Sequence, residues 1–282
     1  MLTRRSFLNQ SAAAVLSVAA FPTIAVAVGK TKQLKNFGFI AGIIGKELKG
    51  DWKSILAQTV EYGFSEIETG QYLGESADVF LSYCKKIGLK PIAGGVPFTA
   101  GYDELNKKLD ALEELGIKYA VNYWPWLSGG PFLLEDCKKS VEILNGMGEI
   151  CQKRGFIFCW HNHDKEFAEM EQGLPFDYLM EHTDKKLVKC ELDVFWVKKG
   201  DADPLSILKK YRGRFEILHL KDMTGDDRRT FECVGNGIID FPSILKEAAT
   251  QGINHFFVEY DNVQDGMACL KTSGKYLKNL IL

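Results

Sequence analysis

The sequence predicts a single (β/α)8 barrel. Strand-like and helix-like segments alternate eight times between residue 37 and the end of the chain, the pattern of a parallel barrel wrapped in helices. The length of 282 residues suits one such domain. A doubly wound open sheet is the rival. Against it, no G-x-G-x-x-G follows the first strand segment and no G-x-x-x-x-G-K-[ST] occurs in the chain.

Each element has a local reason. Residues 37–43 form an apolar first strand. A helix over 51–62 opens on Asp51 as N-cap and repeats apolar residues at helical spacing (Trp52, Ile55, Leu56, Val60). A second strand at 64–69 carries Glu68 near its end, and a helix at 75–88 and a third strand at 89–97 follow. The helix at 102–115 stops at Gly116, which can take the left-handed conformation that ends helices. A fourth strand at 117–123 runs into Trp124-Pro125-Trp126, and a long helix spans 131–154. The fifth strand belongs to the stretch G-F-I-F-C-W-H-N-H-D-K-E-F that starts at Gly155. Then come a short helix (176–182), a sixth strand (187–195), a helix capped by Asp203 (204–211) and a seventh strand (215–220). A long loop (224–240), a helix (241–250), an eighth strand (255–260) and a closing helix (264–280) complete the chain.

The first residues read as an address rather than as structure. Thr3-Arg4-Arg5-Ser6-Phe7-Leu8 is a twin-arginine pattern, an Ala/Val-rich segment follows, and Ala25-Val26-Ala27 is a small-x-small cleavage site. The expectation is a twin-arginine signal peptide over residues 1–27, a mature barrel over 28–282 and a periplasmic destination. That route carries folded proteins, so it suits a chain that takes up a cofactor before export. No Cys follows the cleavage site directly, so the signal is not that of a lipoprotein.

Hydrophobic residues make up 46% of the chain, enough for a large core, and a net charge of −2 leaves no basic face for nucleic acid. Beyond the N-terminus no apolar run is long enough to span a bilayer. The seven cysteines are an odd number without CxxC spacing, and they read as small core residues rather than as a disulfide framework or a zinc cluster; export to an oxidising compartment makes a disulfide possible, but the sequence does not show one.

The chemistry sits where strands end. Side chains alternate along a strand, so Ile157, Cys159, His161 and His163 share one face. Two imidazoles therefore arrive at the C-terminal end, where parallel α/β proteins hold ligands. For one strand alone, the competing reading is a pair of histidines satisfied by neighbours. Three more strands end alike. The sixth supplies Asp193, with Glu191 on the same face one step deeper; the seventh supplies His219 and then Lys221; the eighth supplies Glu259. Clustered buried carboxylates need a cation or protons to hold them. A mixed set of about four His and carboxylate ligands suits one divalent metal: Mn2+, Zn2+, Co2+ or Mg2+. Either His161 or His163 can be the imidazole on the fifth strand.

The motifs W-H-N-H-D-K-E-F (160–167), E-L-D-V-F-W-V followed by G-D-A-D-P (191–204), H-L-K-D (219–222), V-G-N-G-I-I-D (234–240) and V-E-Y-D (258–261) lie in this order along the chain. Together they resemble the xylose-isomerase-like TIM-barrel superfamily, in its sugar phosphate isomerase/epimerase branch. The resemblance implies one divalent metal, most often Mn2+, held by strands five to eight. Carried over, Asp193, His219 and Glu259 match three ligand positions, and His161 stands where relatives usually place Glu. The implied function is a sugar isomerase or epimerase that works through a metal-stabilised enediolate, with Glu259 as one base. Because an imidazole replaces the second glutamate, His163, Lys221, Glu68 and Glu166 are the candidates for the other proton carrier. Similar His-containing relatives are lyases and dehydratases, so a lyase acting on keto-sugars or 3-keto-glycosides is the alternative. A non-catalytic sugar-binding barrel is a further one. A relative that cleaves abasic DNA would need a His-rich three-metal cluster and a basic face, which five His and a charge of −2 argue against.

The substrate class is a small sugar or glycoside, with no nucleic-acid partner and no membrane partner after signal cleavage. Asn162, Lys221 and Glu68 are the polar contacts expected for it. Among the aromatics near strand ends (Tyr72, Tyr123, Trp124, Trp126, Trp196, Tyr260), Trp124 and Trp196 are foremost for stacking on sugar faces. Arg228 and Arg229 fit a solvated loop tip better than a phosphate grip. A homodimer is the expectation for a barrel of this size.

Overall fold

Eight short strands build the centre of the molecule. They are β1 (Gly38–Ile40), β2 (Glu66–Glu68), β3 (Lys90–Gly95), β4 (Tyr119–Asn122), β5 (Ile157–His161), β6 (Val188–Asp193), β7 (Phe215–Leu220) and β8 (His255–Val258). All pair in parallel with their neighbours, and β1 pairs with both β8 and β2, which closes the barrel. The structure is a computed structural model that describes residues 33–34, 36–126 and 133–282. The expected leader, residues 1–27, lies outside the described residues, as does the start of the helix expected from 131.

The outer layer consists of α1 (Trp52–Tyr62), α2 (Ala77–Ile87), α3 (Tyr102–Glu114), α4 (Leu134–Lys153), α5 (Pro175–His182), α6 (Val194–Lys199), α7 (Pro204–Lys210), α8 (Phe241–Thr250) and α9 (Gly266–Lys278). Side-chain oxygens of Asp51, Ser76, Asp203, Asp240 and Asp265 accept first-turn N–H groups and fix where five of these helices begin. One large apolar cluster lies between strands and helices. A separate cluster of Ala93, Val121, Cys159, Ile217 and Phe257 fills the barrel interior. Gly38 makes room for it: a Cβ there would lie 2.5 Å from the Phe257 ring.

Besides small shifts at element ends, the structure differs from the sequence expectation at four points, each with a local cause. The first strand is only three residues long, because residues 41–44 turn into a 3-10 helix. The sixth strand ends at Asp193 rather than at 195: its carboxylate accepts the N–H groups of Phe195 and Trp196 and starts α6 at once. The loop after β7 is ordered by buried Asp222, whose oxygens accept N–H groups from Met223, Gly235, Gly237 and Ile239. Phe231–Glu232 also pairs antiparallel with Asp222–Met223. A Cβ at Gly237 would sit 2.3 Å from the Asp222 carboxylate, which explains the small residue there.

The fourth point corrects the reading of the cysteines as core residues alone. Cys233 and Cys269, separated by 36 positions, form a disulfide between the loop after β7 and α9. Sequence spacing hid it because the loop's path, not the cysteine pattern, brings the two together. The other five cysteines are buried free thiols. No helix among the described residues is long and apolar enough to cross a membrane.

Closing a loop of this length restricts the unfolded chain and contributes about 2–4 kcal/mol. The Cys233→Ser/Cys269→Ser double variant is therefore expected to denature at lower urea concentration than the oxidised parent and to match the parent under reductant. An unchanged urea midpoint would show that the bond does not form in solution.

Candidate metal centre

The C-terminal ends of β5, β6 and β7 and the residue that follows β8 deliver His161, Asp193, His219 and Glu259 to one place. One ligand atom from each lies within 4.8 Å of the others. His161, Asp193 and His219 are fully or almost fully buried, whereas the Glu259 side chain is 15% exposed. Glu259 Oε2 sits 2.7 Å from His219 Nδ1, and Asp193 Oδ2 sits 3.6 Å from His161 Nε2. A second group, Glu68, Glu191 and His219, shares the imidazole of the first. His219 Nε2 lies 2.7 Å from Glu68 and 3.1 Å from Glu191, and His161 Nδ1 lies 3.0 Å from Glu191. Tyr123 donates a short hydrogen bond to Glu68.

Charge governs this cluster. Burial pushes Asp193 up to about 6 and Glu191 up to about 8, the charge of Glu68 adding to the second. Burial also disfavours charge on His219, but Glu191, Glu68 and Glu259 outweigh it and hold the imidazole well above its ordinary value. His161 goes the other way, lowered by burial and then by His219. Lys221 is buried and touches Asp193 Oδ2 at 3.1 Å, Glu259 Oε2 at 2.9 Å and Asp261 at 2.9 Å. Burial opposes its charge, yet these three carboxylates keep it protonated. Burial would likewise raise Glu259, but Lys221 and His219 hold it ionised.

The residues fit a divalent cation. Two imidazoles and two carboxylates form a mixed donor set of four. Asp193 Oδ2 is buried and receives no hydrogen bond of good geometry. The ammonium of Lys221 already reaches two of the four ligand atoms.

The other expected site residues are placed as follows. Asn162 is buried and bonds the Asp193 backbone in both directions, accepting at 2.9 Å and donating at 3.3 Å, so it fixes β6 rather than facing the mouth. Glu68 is also buried and occupied by His219 and Tyr123. His163 lies just past the end of β5, outside the four-ligand group; its ring stacks on Trp124 at 3.8 Å and burial lowers it to about 3. Its Nδ1 has no hydrogen-bond partner among the described residues. Trp124 is half exposed, and Trp196 lies 5.3 Å from the Lys221 ammonium. Glu166 is buried, accepts the His163 N–H and is pushed up by burial to about 8. Arg228 and Arg229 pair with Asp226 and Asp201, so their charge is used within the exposed loop region.

Sequence reasoning missed three contributors. Asp261 follows Glu259 by two residues, and that spacing was the available signal. Phe231 reaches the Lys221 ammonium at 5.7 Å from the middle of a long loop, where no periodicity marks it. Tyr123 was read for stacking, whereas its hydroxyl serves Glu68.

Comparison with known proteins places this geometry in a family. The chain is 29% identical over 157 residues to inosose dehydratase from Geobacillus kaustophilus, covering 50% of each chain. It therefore spans about half the length of the curated relatives it matches. A solved sugar phosphate isomerase/epimerase from Parabacteroides distasonis superposes with a TM-score of 0.74 at 26% identity, covering 89% of this chain and 96% of that one. The IOLI protein, solved with a binding zinc atom, shares the fold with a TM-score of 0.68 at 18% identity, covering 85% and 95%. The model of the xylose isomerase-like TIM barrel family matches residues 56–280, and the chain belongs to that family.

Proposed function

We propose that the chain is a divalent-metal-dependent enzyme that removes the proton next to a carbonyl in a keto-polyol. The outcome favoured by the site is elimination, which makes the enzyme a lyase or dehydratase acting on a keto-sugar, keto-inositol or 3-keto-glycoside. One observation carries this preference. The four-ligand group offers a single partly exposed carboxylate, Glu259, while the ligand position on β5 is a buried imidazole already engaged by Glu191. The curated relatives with dehydratase names support the same direction.

A cation held by His161, Asp193, His219 and Glu259 would polarise the carbonyl and lower the barrier to an enediolate. Zn2+ and Co2+ suit the two imidazoles, Mn2+ is compatible with the mixed imidazole and carboxylate set, and Mg2+ is the weakest fit to nitrogen donors. Glu259, kept ionised, accepts the proton. Lys221, kept charged by Asp193, Glu259 and Asp261, stabilises negative charge on the departing oxygen. Trp124 and Trp196 offer ring faces to the sugar. Isomerase or epimerase chemistry is the second reading, favoured by His163. That imidazole is neutral near pH 7, has an Nδ1 without a hydrogen-bond partner among the described residues and stands three strands round the barrel from Glu259, where it can serve the other face as a base.

The proposal includes export. Residues 1–27 act as a twin-arginine leader and 28–282 as the mature periplasmic barrel; the Cys233–Cys269 bond supports an oxidising destination.

Incubation with Mn2+ and a panel of keto-sugars, inososes and 3-keto-glycosides in deuterated water tests the reaction. Deuterium at the carbon next to the carbonyl with release of water or an aglycone supports elimination; exchange with recovery of a new sugar supports epimerisation. Absence of both, with metal bound, removes the catalytic reading. Glu259→Gln should slow exchange by about 10²–10⁴-fold. Mn2+ or Zn2+ at about a hundredfold excess over Kd should raise Tm of the chelated protein by about 5–10 °C. Asp193→Ala should abolish that rise, and an equal rise in the variant would place the ion elsewhere.

A further inference from the structure

We propose that the Cys233–Cys269 bond is a redox latch on the substrate wall. It holds Phe231 beside Lys221, so that sugar binding, and not metal binding, depends on the oxidation state of this pair. The inference rests on the enzyme reading above and adds a regulation that this reading does not contain.

The bond joins the two loops that flank Lys221. Cys233 lies in the loop after β7, two residues past Phe231. Cys269 lies near the start of α9, the helix that follows the β8 loop bearing Glu259, Tyr260 and Asp261. Their Cα atoms are 5.4 Å apart, a span that a disulfide bridges without backbone movement. The wall that these loops form is aromatic. The Phe231 ring packs against Phe195 at 4.4 Å, Trp196 at 5.4 Å and Tyr260 at 5.7 Å. Phe231 and Trp196 cover the Lys221 ammonium at 5.7 Å and 5.3 Å, and Asp261 reaches the same ammonium from the other loop at 2.9 Å.

Most hydrogen bonds that fasten the loop after β7 lead away from α9. Asp222 ties Gly235, Gly237 and Ile239 to the end of β7, and the Lys199 ammonium ties the carbonyls of Arg228 and Arg229 to α6. Toward the β8 loop, Phe231 is held by the Tyr260 hydroxyl, which donates to its carbonyl at 3.1 Å. The disulfide adds a covalent fastening on that side. Opening it lets the two loops part at Lys221 and leaves the substrate to order Phe231 on binding. The candidate metal ligands stand at strand ends paired within the closed barrel, so their spacing does not depend on the latch.

Closure is thiol–disulfide exchange. The Cys233 and Cys269 thiols give two electrons and two protons to a disulfide-bearing oxidoreductase, whose disulfide becomes a dithiol as the new S–S bond forms; a reductant reverses the step. Cys233 is partly exposed and Cys269 is buried, so exchange begins at Cys233. The other five cysteines are already free thiols, so a reductant has this one bond to act on. In the export proposed above, the chain folds with the latch open, and its substrate wall sets in an oxidising compartment.

The test compares the full chain in its oxidised form, the same chain after tris(2-carboxyethyl)phosphine, and the Cys233→Ser/Cys269→Ser variant. The readings are KM and kcat for the keto-sugar turned over in the deuterium assay, Zn2+ affinity by chelator competition, and hydrogen exchange of backbone amides 229–235. Reduction should raise KM about 3–10-fold, the cost of ordering one or two loosened side chains on binding. It should leave kcat and zinc affinity unchanged and speed exchange at 229–235. The serine variant should match the reduced protein with or without reductant. In a Phe231→Ala background, reduction should no longer change KM. An unchanged KM on reduction of the parent, an equal rise in the Phe231→Ala background, or a parallel loss of zinc would overturn the inference. A parent without turnover would sink the enzyme reading instead. The latch would then be judged by hydrogen exchange at 229–235: faster exchange on reduction supports it, and equal exchange refutes it. Should Phe231→Ala fail to fold, Phe231→Leu, which keeps bulk without the ring, is read by the same KM comparison.

Discussion

Like charges brought together out of water are the constraint behind the mouth of this barrel. Glu68, Glu191, Asp193 and Glu259 all reach toward His219, His161 or Lys221, and Glu68, Glu191 and Asp193 have no exposed surface. Buried carboxylates at such spacing cannot all be ionised without compensating positive charge. The chain supplies part of that charge itself, through the ammonium of Lys221 and the raised imidazole of His219. A divalent cation at the four-ligand group would supply more charge, in a more compact form. Barrel closure, helix caps and the ordered loop after β7 all serve to hold these groups close when repulsion would spread them.

That constraint explains which parts of the molecule were legible in the sequence. The alternation of strands and helices was legible because each segment carries its own punctuation: Asp51, Asp203 and Asp240 at helix starts, Gly88 and Gly116 at ends. Closure was inferred from count and length, and β1 paired to β8 is the corresponding fact. Boundaries were legible only where one residue had one role. Asp193 has two, as a strand-end carboxylate and as the cap of α6, and the second cut the strand two residues early. The path of the loop from 224 to 240 was illegible, since it depends on a single buried carboxylate, Asp222, accepting four backbone N–H groups. The disulfide followed from that path and was hidden with it.

For the site, period-two alternation was enough to aim Asp193, His219 and Glu259 at a common mouth. It could not separate His161 from His163, because both fall on one face. What separates them is the end of β5 at His161, after which the chain turns and His163 stacks on Trp124. Contacts across the barrel were beyond reach as well. Tyr123 meets Glu68 from two strands away, and no local pattern encodes that meeting.

The bond from Cys233 to Cys269 encloses α8, β8 and Glu259 within one covalent ring. A protease nick in an exposed turn of that ring would leave both pieces tethered to each other. The last strand can then peel from its neighbours only as far as the tether permits. The barrel seam, where the first and last strands meet, is thereby kept together once cut.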